Sequence, residues 1–347
     1  MSNKTVFDLE RLALIAQGHS AFQLLWAGAE LKLYDTLCGS PGLSPGAIGE
    51  ALGLAEYPCR VLLVGLTALG VVEKRGDAYF NADLTERLLV SGQPESFTPV
   101  LGWQAHIVYP GLQDFLESLR AGTNLGLARF PGEGTTLYQR LVAHPALEQV
   151  FQDAMSALSN QANRHLLAGY DFSRFSHLVD AGGGDGTNAI AIARHYPDLK
   201  VTIFESPSVC EIAARNVAAA GLADRVFTHP GDFWTDPFPC GIDAILFCHM
   251  FTIWSMERNL QLLRICAAAV EPGGSVLLFN MMGDDDRSGP LSTALGSPYF
   301  LAIATGEGEL HSWSDYEQAM HQAGFAEVKR VTGLPLNHGI IVGTRRA

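Results

Sequence analysis

The sequence predicts an α/β chain in which a mostly parallel sheet of seven strands follows a mostly helical first half. Three observations carry that reading. From residue 176 onward, strand-length apolar runs alternate with helix-like stretches, the pattern of a parallel sheet covered on both faces. The first of those runs ends in the loop Asp180-Ala-Gly-Gly-Gly-Asp-Gly186. Before that, apolar positions recur at helical spacing, beginning with Leu9, Leu12, Leu14 and Ile15.

At 347 residues the chain is long enough for two cores, and 48% hydrophobic with 17% charged residues is a globular composition. A net charge of −13 argues against nucleic-acid and anionic-membrane partners, both of which demand basic surface. Six cysteines lie scattered without C-x-x-C spacing, which points to reduced thiols in the cytoplasm and to no zinc cluster. Charged residues within the first ten positions, with no short apolar core behind them, argue against a secretory signal. No uncharged apolar stretch reaches the roughly 18 residues of a membrane span.

Taken in order, residues 8–37 carry helical periodicity loosened by Gly18 and Gly28. Residues 44–80 read as a winged helix. Ser44-Pro45 opens a short helix that Gly53 ends, a second helix covers 56–69, and Val71-Val72-Glu73 with Tyr79-Phe80 form a hairpin around Gly76-Asp77. The second helix is almost wholly apolar with Arg60 as its one basic residue, so it reads as a packing or dimerisation element and not as a DNA reader. Residues 98–170 are mostly helical, broken between Gly122 and Gly134, and carry Trp103, His106, Tyr109, Phe151 and Met155. Such a set suits plain core or a lid over a flat apolar ligand. Strands follow at 176–181, 200–205, 225–228, 242–248, 276–280, 326–332 and 339–345. A helix over 255–270 ends at Pro272-Gly273-Gly274, and Ser314 with Glu317 has capping-box spacing for the last helix. The run Asp284-Asp285-Asp286 reads as a solvated loop.

The glycine loop delivers backbone N–H groups and a helix N-terminus to a ligand at short range, because Gly182, Gly184 and Gly186 put no Cβ in the way. Nineteen residues past Gly186, the second strand ends in Glu205, where a carboxylate can accept both ribose hydroxyls of a nucleoside. The spacing is G-x-G-x-G, with Thr187 where a dinucleotide loop has its third glycine. Asp180 at the loop entrance would repel a pyrophosphate and suits a cation, such as the amino-acid end of S-adenosylmethionine (SAM). The tips of the first four strands, Asp180, Glu205, Asp232 and Cys248-His249, converge on one crevice.

In this order the residues resemble the class I SAM-dependent methyltransferases. The similarity is greatest to the two-domain group that includes plant caffeate and isoflavone O-methyltransferases and bacterial polyketide and phenazine methyltransferases. It covers nearly the whole chain: the winged-helix half, residues 141–158 with Met155, Leu178-Val-Asp-Ala-Gly-Gly-Gly-Asp-Gly186, Phe204-Glu205-Ser206-Pro207, Gly231-Asp232-Phe233 and Trp254. The resemblance implies a Rossmann-like SAM-binding domain at 171–347, a winged-helix dimerisation domain at 1–97 and a helical linker and acceptor lid at 98–170. It implies a homodimer formed through the N-terminal half, and SAM held by Asp180, Gly182, Gly184, Glu205, Gly231, Asp232, Phe233 and Cys248. Gly182 would meet the methionine moiety, Glu205 the ribose, and Asp232 with Phe233 the adenine. Trp103, His106, Met155 and Trp254 are the expected contacts of a small-molecule acceptor.

One departure bears on mechanism. Many relatives carry a general-base histidine two residues before the tryptophan, and here that position is Thr252, which cannot serve as a base near neutral pH. His249 is the nearest substitute, with His106 and His311 as further candidates. The expected reaction is methylation, chiefly on oxygen, of an aromatic or enolisable natural-product intermediate, catalysed mainly by proximity with His249 assisting. Two alternatives stand beside it. One is C-methylation of a 2-oxo acid, with His249 and His311 contributing to a metal site and Arg129 holding the carboxylate. The other is an enzyme of this fold that binds SAM without transferring its methyl group.

Overall fold

In the computed structural model, residues 7–347 are described, so the first six residues of the expected 1–97 domain and of the stretch read for a secretory signal lie outside it. The chain divides into two compact units, Met1–Ala105 and His106–Ala347.

In the first unit the 8–37 stretch is three helices, Leu9–Ala16, Gly18–Glu30 and Leu33–Gly39, broken at Gln17 and again where Lys32 takes a left-handed conformation. Ser44 then caps helix Pro45–Leu52, its hydroxyl accepting the Ala47 N–H at 3.3 Å, and Gly53 ends it at φ +66°. The next helix, Glu56–Ala68, is bent by 110° from the first and leads into the antiparallel hairpin β1 (Val72–Arg75) and β2 (Ala78–Asn81). Helix Glu56–Ala68 buries Cys59, Leu62, Leu63 and Leu66 against Leu33, Tyr34, Leu37 and Ile48. Its opposite face is also apolar: Tyr57, Val61 and Val64 are exposed, and Arg60 is paired with Glu56 at 3.2 Å.

The second unit is built on a seven-stranded sheet. Its strands are β3 (His177–Ala181), β4 (Lys200–Glu205), β5 (Val226–Pro230), β6 (Ala244–Cys248), β7 (Ser275–Met281), β8 (Glu327–Val331) and β9 (His338–Thr344). The order across the sheet is β5-β4-β3-β6-β7-β9-β8. The first five strands are parallel, and β9 runs antiparallel between β7 and β8. Apolar side chains of β3, β4, β6 and β7 are buried on both faces, as a parallel sheet requires. The strand order reverses between β3 and β6, so the crevice at their carboxyl ends is where this topology binds ligands. A 25-residue helix, Pro145–Gly169, packs against the helix after β3 and against β9.

Strand and helix ends fall within about two residues of the expected ones. The capping box is corrected: Ser312 caps helix Trp313–Gln322 reciprocally with Asp315, two residues before the Ser314/Glu317 pair, whose spacing is the same. Ser314 instead donates its N–H to Asp285, and Glu317 pairs with Arg330. The Asp284-Asp285-Asp286 loop is therefore tied down, since Asp285 also receives Arg330 at 2.6 Å. Among the described residues no single helix is long and apolar enough to cross a membrane.

Candidate active site

Strand β3 runs straight into the glycine loop and the loop into helix Thr187–His195. Gly182 sits at φ +69°, and a Cβ there would lie 2.8 Å from the Met250 side chain. At Gly183 a Cβ would meet the Asp180 carboxylate at 2.7 Å, so the loop closes over that carboxylate only because it has no side chain there. Asp185 holds the loop in shape. Its carboxylate accepts the Thr187 N–H and hydroxyl, and it receives the Ser156 hydroxyl from the long helix at 2.5 Å.

Asp180 has no solvent exposure, and its carboxylate meets no side-chain donor among the described residues, the backbone N–H of Ala189 being the group that acts on it. Burial pushes its pKa up to about 7; the Ala189 N–H works against that, while Glu205 and Asp185 add to it. Once ionised, a buried carboxylate with no cationic neighbour is costly, and a cationic ligand group would offset that cost. The neighbouring Cys248 thiol is raised well above its ordinary value by burial and by the Asp180 charge, so it stays a neutral thiol.

Glu205 ends β4, half-buried, its carboxylate accepting the Ser206 N–H; burial raises its pKa and that N–H opposes the rise. The Gly231 N–H donates to the Glu205 carbonyl at 2.9 Å and brings the end of β5 alongside. Asp232 accepts the Trp234 N–H at 2.9 Å, which shapes the turn, and Phe233 stands edge-on to Phe204 and Phe247. The glycine loop, Glu205 and the 231–233 turn thus lie at the ends of three adjacent parallel strands.

His249 follows β6 in a left-handed conformation, φ +57°, uncommon for a residue with a side chain. Its N–H donates to the Phe279 carbonyl at 2.8 Å, and its carbonyl accepts the Thr252 hydroxyl at 2.9 Å. Its ring Nε2 lies 3.0 Å from Nε2 of His338, the first residue of β9. Burial, then the neighbouring His338, lowers the pKa of His249 to about 3, so its ring is neutral at physiological pH. Thr252 is buried.

The other candidates are more dispersed. Trp254 is half-buried beneath the Arg258 guanidinium, 4.1 Å from its ring centroid, and edge-on to Trp234. His311 is buried with Nε2 3.1 Å from the Trp254 carbonyl and Nδ1 3.4 Å from Glu309, so both ring nitrogens have partners other than His249. Among the described residues no group of three or more His, Cys, Asp or Glu side chains could hold a metal ion. Met155 lies half-buried on the long helix, one residue before Ser156, which ties that helix to the glycine loop. His106 is exposed on a π-helical turn, Gln104–Val108, and Trp103 is half-buried in the first unit. Arg129 is engaged by Asp114 through two bonds of 2.7 and 2.9 Å. His338, Asp185 and Met250 were not anticipated; 89 residues separate His338 from His249, and no local pattern marks that pairing.

Residues 118–326 match the model of the O-methyltransferase domain family. The chain belongs to that family. The methyltransferase is 40% identical to the L-tyrosine C(3)-methyltransferase of Streptomyces lavendulae, over 99% of this chain and 95% of the relative. It is 30% identical to the 3-hydroxy-5-methyl-1-naphthoate 3-O-methyltransferase of Streptomyces sahachiroi, over 95% and 94%. Among solved structures, the SAM-dependent methyltransferase SibL in its apo form superposes with a TM-score of 0.84 at 41% identity, covering 98% of this chain and 100% of that one. Human N-acetylserotonin methyltransferase in complex with SAM gives 0.88 at 25% identity, covering 100% of both. The enzyme is a SAM-dependent methyltransferase of the Rossmann-like fold, as the glycine loop and the resemblance implied. The residues present fit that cofactor: Asp180 offers a fully buried carboxylate and Glu205 a second at the end of the adjacent strand, groups able to accept from an ammonium and from ribose hydroxyls.

Proposed function

We propose that this methyltransferase modifies a small hydroxylated aromatic compound at the carboxyl ends of β3 and β6. The observation that carries this is the presence there of a buried carboxylate whose charge no side chain matches and of a neutral histidine. Relatives named for tyrosine, a hydroxynaphthoate and acetylserotonin support the acceptor class.

SAM supplies a methyl group already activated on a sulfonium, so the protein's task is positioning. Asp180 pairs with the ammonium, Gly182 and Gly184 let the backbone approach the methionine moiety, and Glu205 accepts from the ribose. Gly231, Asp232 and Phe233 bound the adenine, and Cys248 faces the cofactor as a neutral thiol. Within the second unit, His106, Met155 and Trp254 are assigned to the acceptor. Holding oxygen and methyl in line can lower the barrier by about 7–11 kcal/mol. A phenol of pKa about 10 is largely un-ionised at neutral pH, and ionising it there costs about 4 kcal/mol. His249, with a pKa near 3, is too weak a base to remove that proton beforehand. It accepts the hydroxyl hydrogen bond and takes the proton as the new bond to methyl forms.

Oxygen is the acceptor atom in the first reading. A second, methylation of the ring carbon beside the hydroxyl, is favoured by the 40% identity to a tyrosine C(3)-methyltransferase, because a phenolate is nucleophilic at both positions. The 2-oxo-acid alternative has less support, since Arg129 and His311 are otherwise engaged. The exposed Tyr57, Val61 and Val64 support a homodimer through a winged-helix domain at 1–97; the helical stretch at 98–170 is read as the lid and the sheet-bearing stretch at 171–347 as the catalytic part. The scattered, unbridged cysteines favour a cytoplasmic enzyme. The test is to incubate enzyme and SAM with tyrosine, hydroxynaphthoates and hydroxyindoles. Conversion would be followed as S-adenosylhomocysteine and the methylated atom identified by NMR. Conversion of non-aromatic 2-oxo acids alone would overturn the proposal.

A further inference from the structure

Among the described residues His338 is the one side chain that bonds the ring of His249, and the direction of that bond can be worked out. A carbonyl oxygen can only accept. Because His338 Nδ1 lies 3.1 Å from the Pro335 carbonyl, Nδ1 must carry the proton and donate it. A neutral His338 then has its lone pair on Nε2, and the 3.0 Å contact can form only if His249 donates from its own Nε2. Burial holds His338 below the usual histidine value, which keeps it in that neutral form. One proton therefore remains for His249, on Nε2, and its lone pair is on Nδ1, which no protein group bonds among the described residues.

The surroundings lock the arrangement. The Phe279 ring lies against both imidazoles, stacked on His338 at 5.0 Å and edge-on to His249 at 5.2 Å. His165 of the long helix stands 5.9 Å from His338 on a further side. The backbone of His249 is pinned at both its N–H and its carbonyl. Register does the rest: β9 pairs with β7 so that His338 opposes Met281, beside the point where the His249 N–H meets Phe279.

We propose that His338 is a positioning residue: by accepting the Nε2 proton of His249 it fixes the tautomer that offers the Nδ1 lone pair to the acceptor hydroxyl. This rests on the reading of His249 as the group that receives the substrate proton. In the reaction the hydroxyl proton passes to Nδ1, the new bond to the methyl carbon forms, and the carbon–sulfur pair leaves with sulfur.

The test begins with the intact wild-type protein, so it does not depend on any variant folding. Two-bond proton–nitrogen NMR of labelled histidine rings should show His249 with the proton on Nε2 and an unprotonated Nδ1. His338→Gln, whose amide oxygen can still accept, should keep that pattern and most of kcat. His338→Leu should give mixed tautomers and a fall in kcat of about tenfold, with the KM for SAM unchanged, and no further fall when combined with His249→Ala. A proton on Nδ1 in the wild type would overturn the assignment, as would a His338→Leu effect that persists in full without His249. If His249→Ala keeps the full rate while His338→Leu still mixes the tautomers, the tautomer assignment stands and the proton-acceptor reading of His249 is what fails.

Discussion

The two strand ends that frame the crevice handle a buried polar group in opposite ways. At β3, Asp180 is sealed from solvent with no side chain to match its charge, its ionisation suppressed by burial. At β6, His249 is half-buried, its donor is matched by His338 and its backbone is bonded on both sides. The first end is incomplete without a cation. The second is complete in itself and keeps one lone pair in reserve. The difference teaches which contacts belong to the ligand and which to the protein: an orphaned group carries its cost until something binds, while a satisfied group is positioned in advance.

Exchanging the carboxylate for an amide should have the largest effect on this contrast. Asp180→Asn removes a charge-assisted contact of the kind that contributes about 1.5–3 kcal/mol, so SAM affinity should fall by about 10²-fold in calorimetric titration. The ligand-free variant should be more stable than the wild type. Asp180 has a raised pKa in the folded protein, so its contribution is favourable below the ordinary carboxylate pKa and is lost as pH rises towards 7. Ionised and unpaired, it costs up to about 4 kcal/mol. The gain in Tm should therefore be absent at pH 4 and largest above pH 7, and wild-type SAM binding should tighten with rising pH and level off near 7. A variant that binds SAM normally would remove Asp180 from the cofactor site.

At the other end, His249→Ala should slow single-turnover methyl transfer by about 10²-fold, the low end for general bases, because the base is weak. SAM affinity should be unaffected. The pH profile is a sharper check than the rate. With its pKa lowered to about 3, His249 stays neutral far below the usual histidine range, so the rate should show no acid limb near pH 6.5 from this residue. An acid limb at that pH, lost in His249→Ala, would mean that its ring is far better solvated than its surroundings imply.

The same contrast explains how much could be read in advance. Asp180 to Gly186 is one unbroken phrase, and Glu205 lies a fixed distance beyond it because one helix and one strand must fit between, so the strand-end loop and the carboxylate beside it could be read locally. The sheet was legible for the same reason: buried parallel strands make apolar runs, and β4 falls at 200–205 as expected. The tautomer lock was not. It joins residues brought together only when β9 inserts antiparallel beside β7, and neither the left-handed His249 nor the Pro335 carbonyl leaves a trace in composition. The cap of helix Trp313–Gln322 went astray on a smaller scale, because Ser312 and Ser314 each have a carboxylate three residues on and only packing chooses between them.

In the first unit the comparison is between two faces of one helix. Leu62, Leu63 and Leu66 of Glu56–Ala68 are covered by their own core, while Val61 and Val64 are exposed. If that outer face joins two subunits, Val64→Glu should place an unpaired charge in an apolar contact and weaken the dimer at least tenfold by sedimentation, with little change in monomer Tm. A wild-type protein that sediments as a monomer at micromolar concentration would sink the dimer reading outright.

The smallest effect is expected where the alternative function would demand a large one. A carboxylate-binding Arg129 would be a specificity residue, and Arg129→Ala would then raise the acceptor KM by 10²-fold or more without touching kcat. The structure instead engages both prongs of its guanidinium with Asp114, a solvent-screened surface pair that adds little to stability. Arg129→Ala should accordingly change the acceptor KM less than threefold, and Tm by a degree or two. Asp114→Asn should match it, because either change breaks the same pair. If Arg129→Ala instead abolished turnover of a 2-oxo acid and Asp114→Asn enhanced it, the ion pair would be a latch on a carboxylate site, and the 2-oxo-acid reading would displace the phenol.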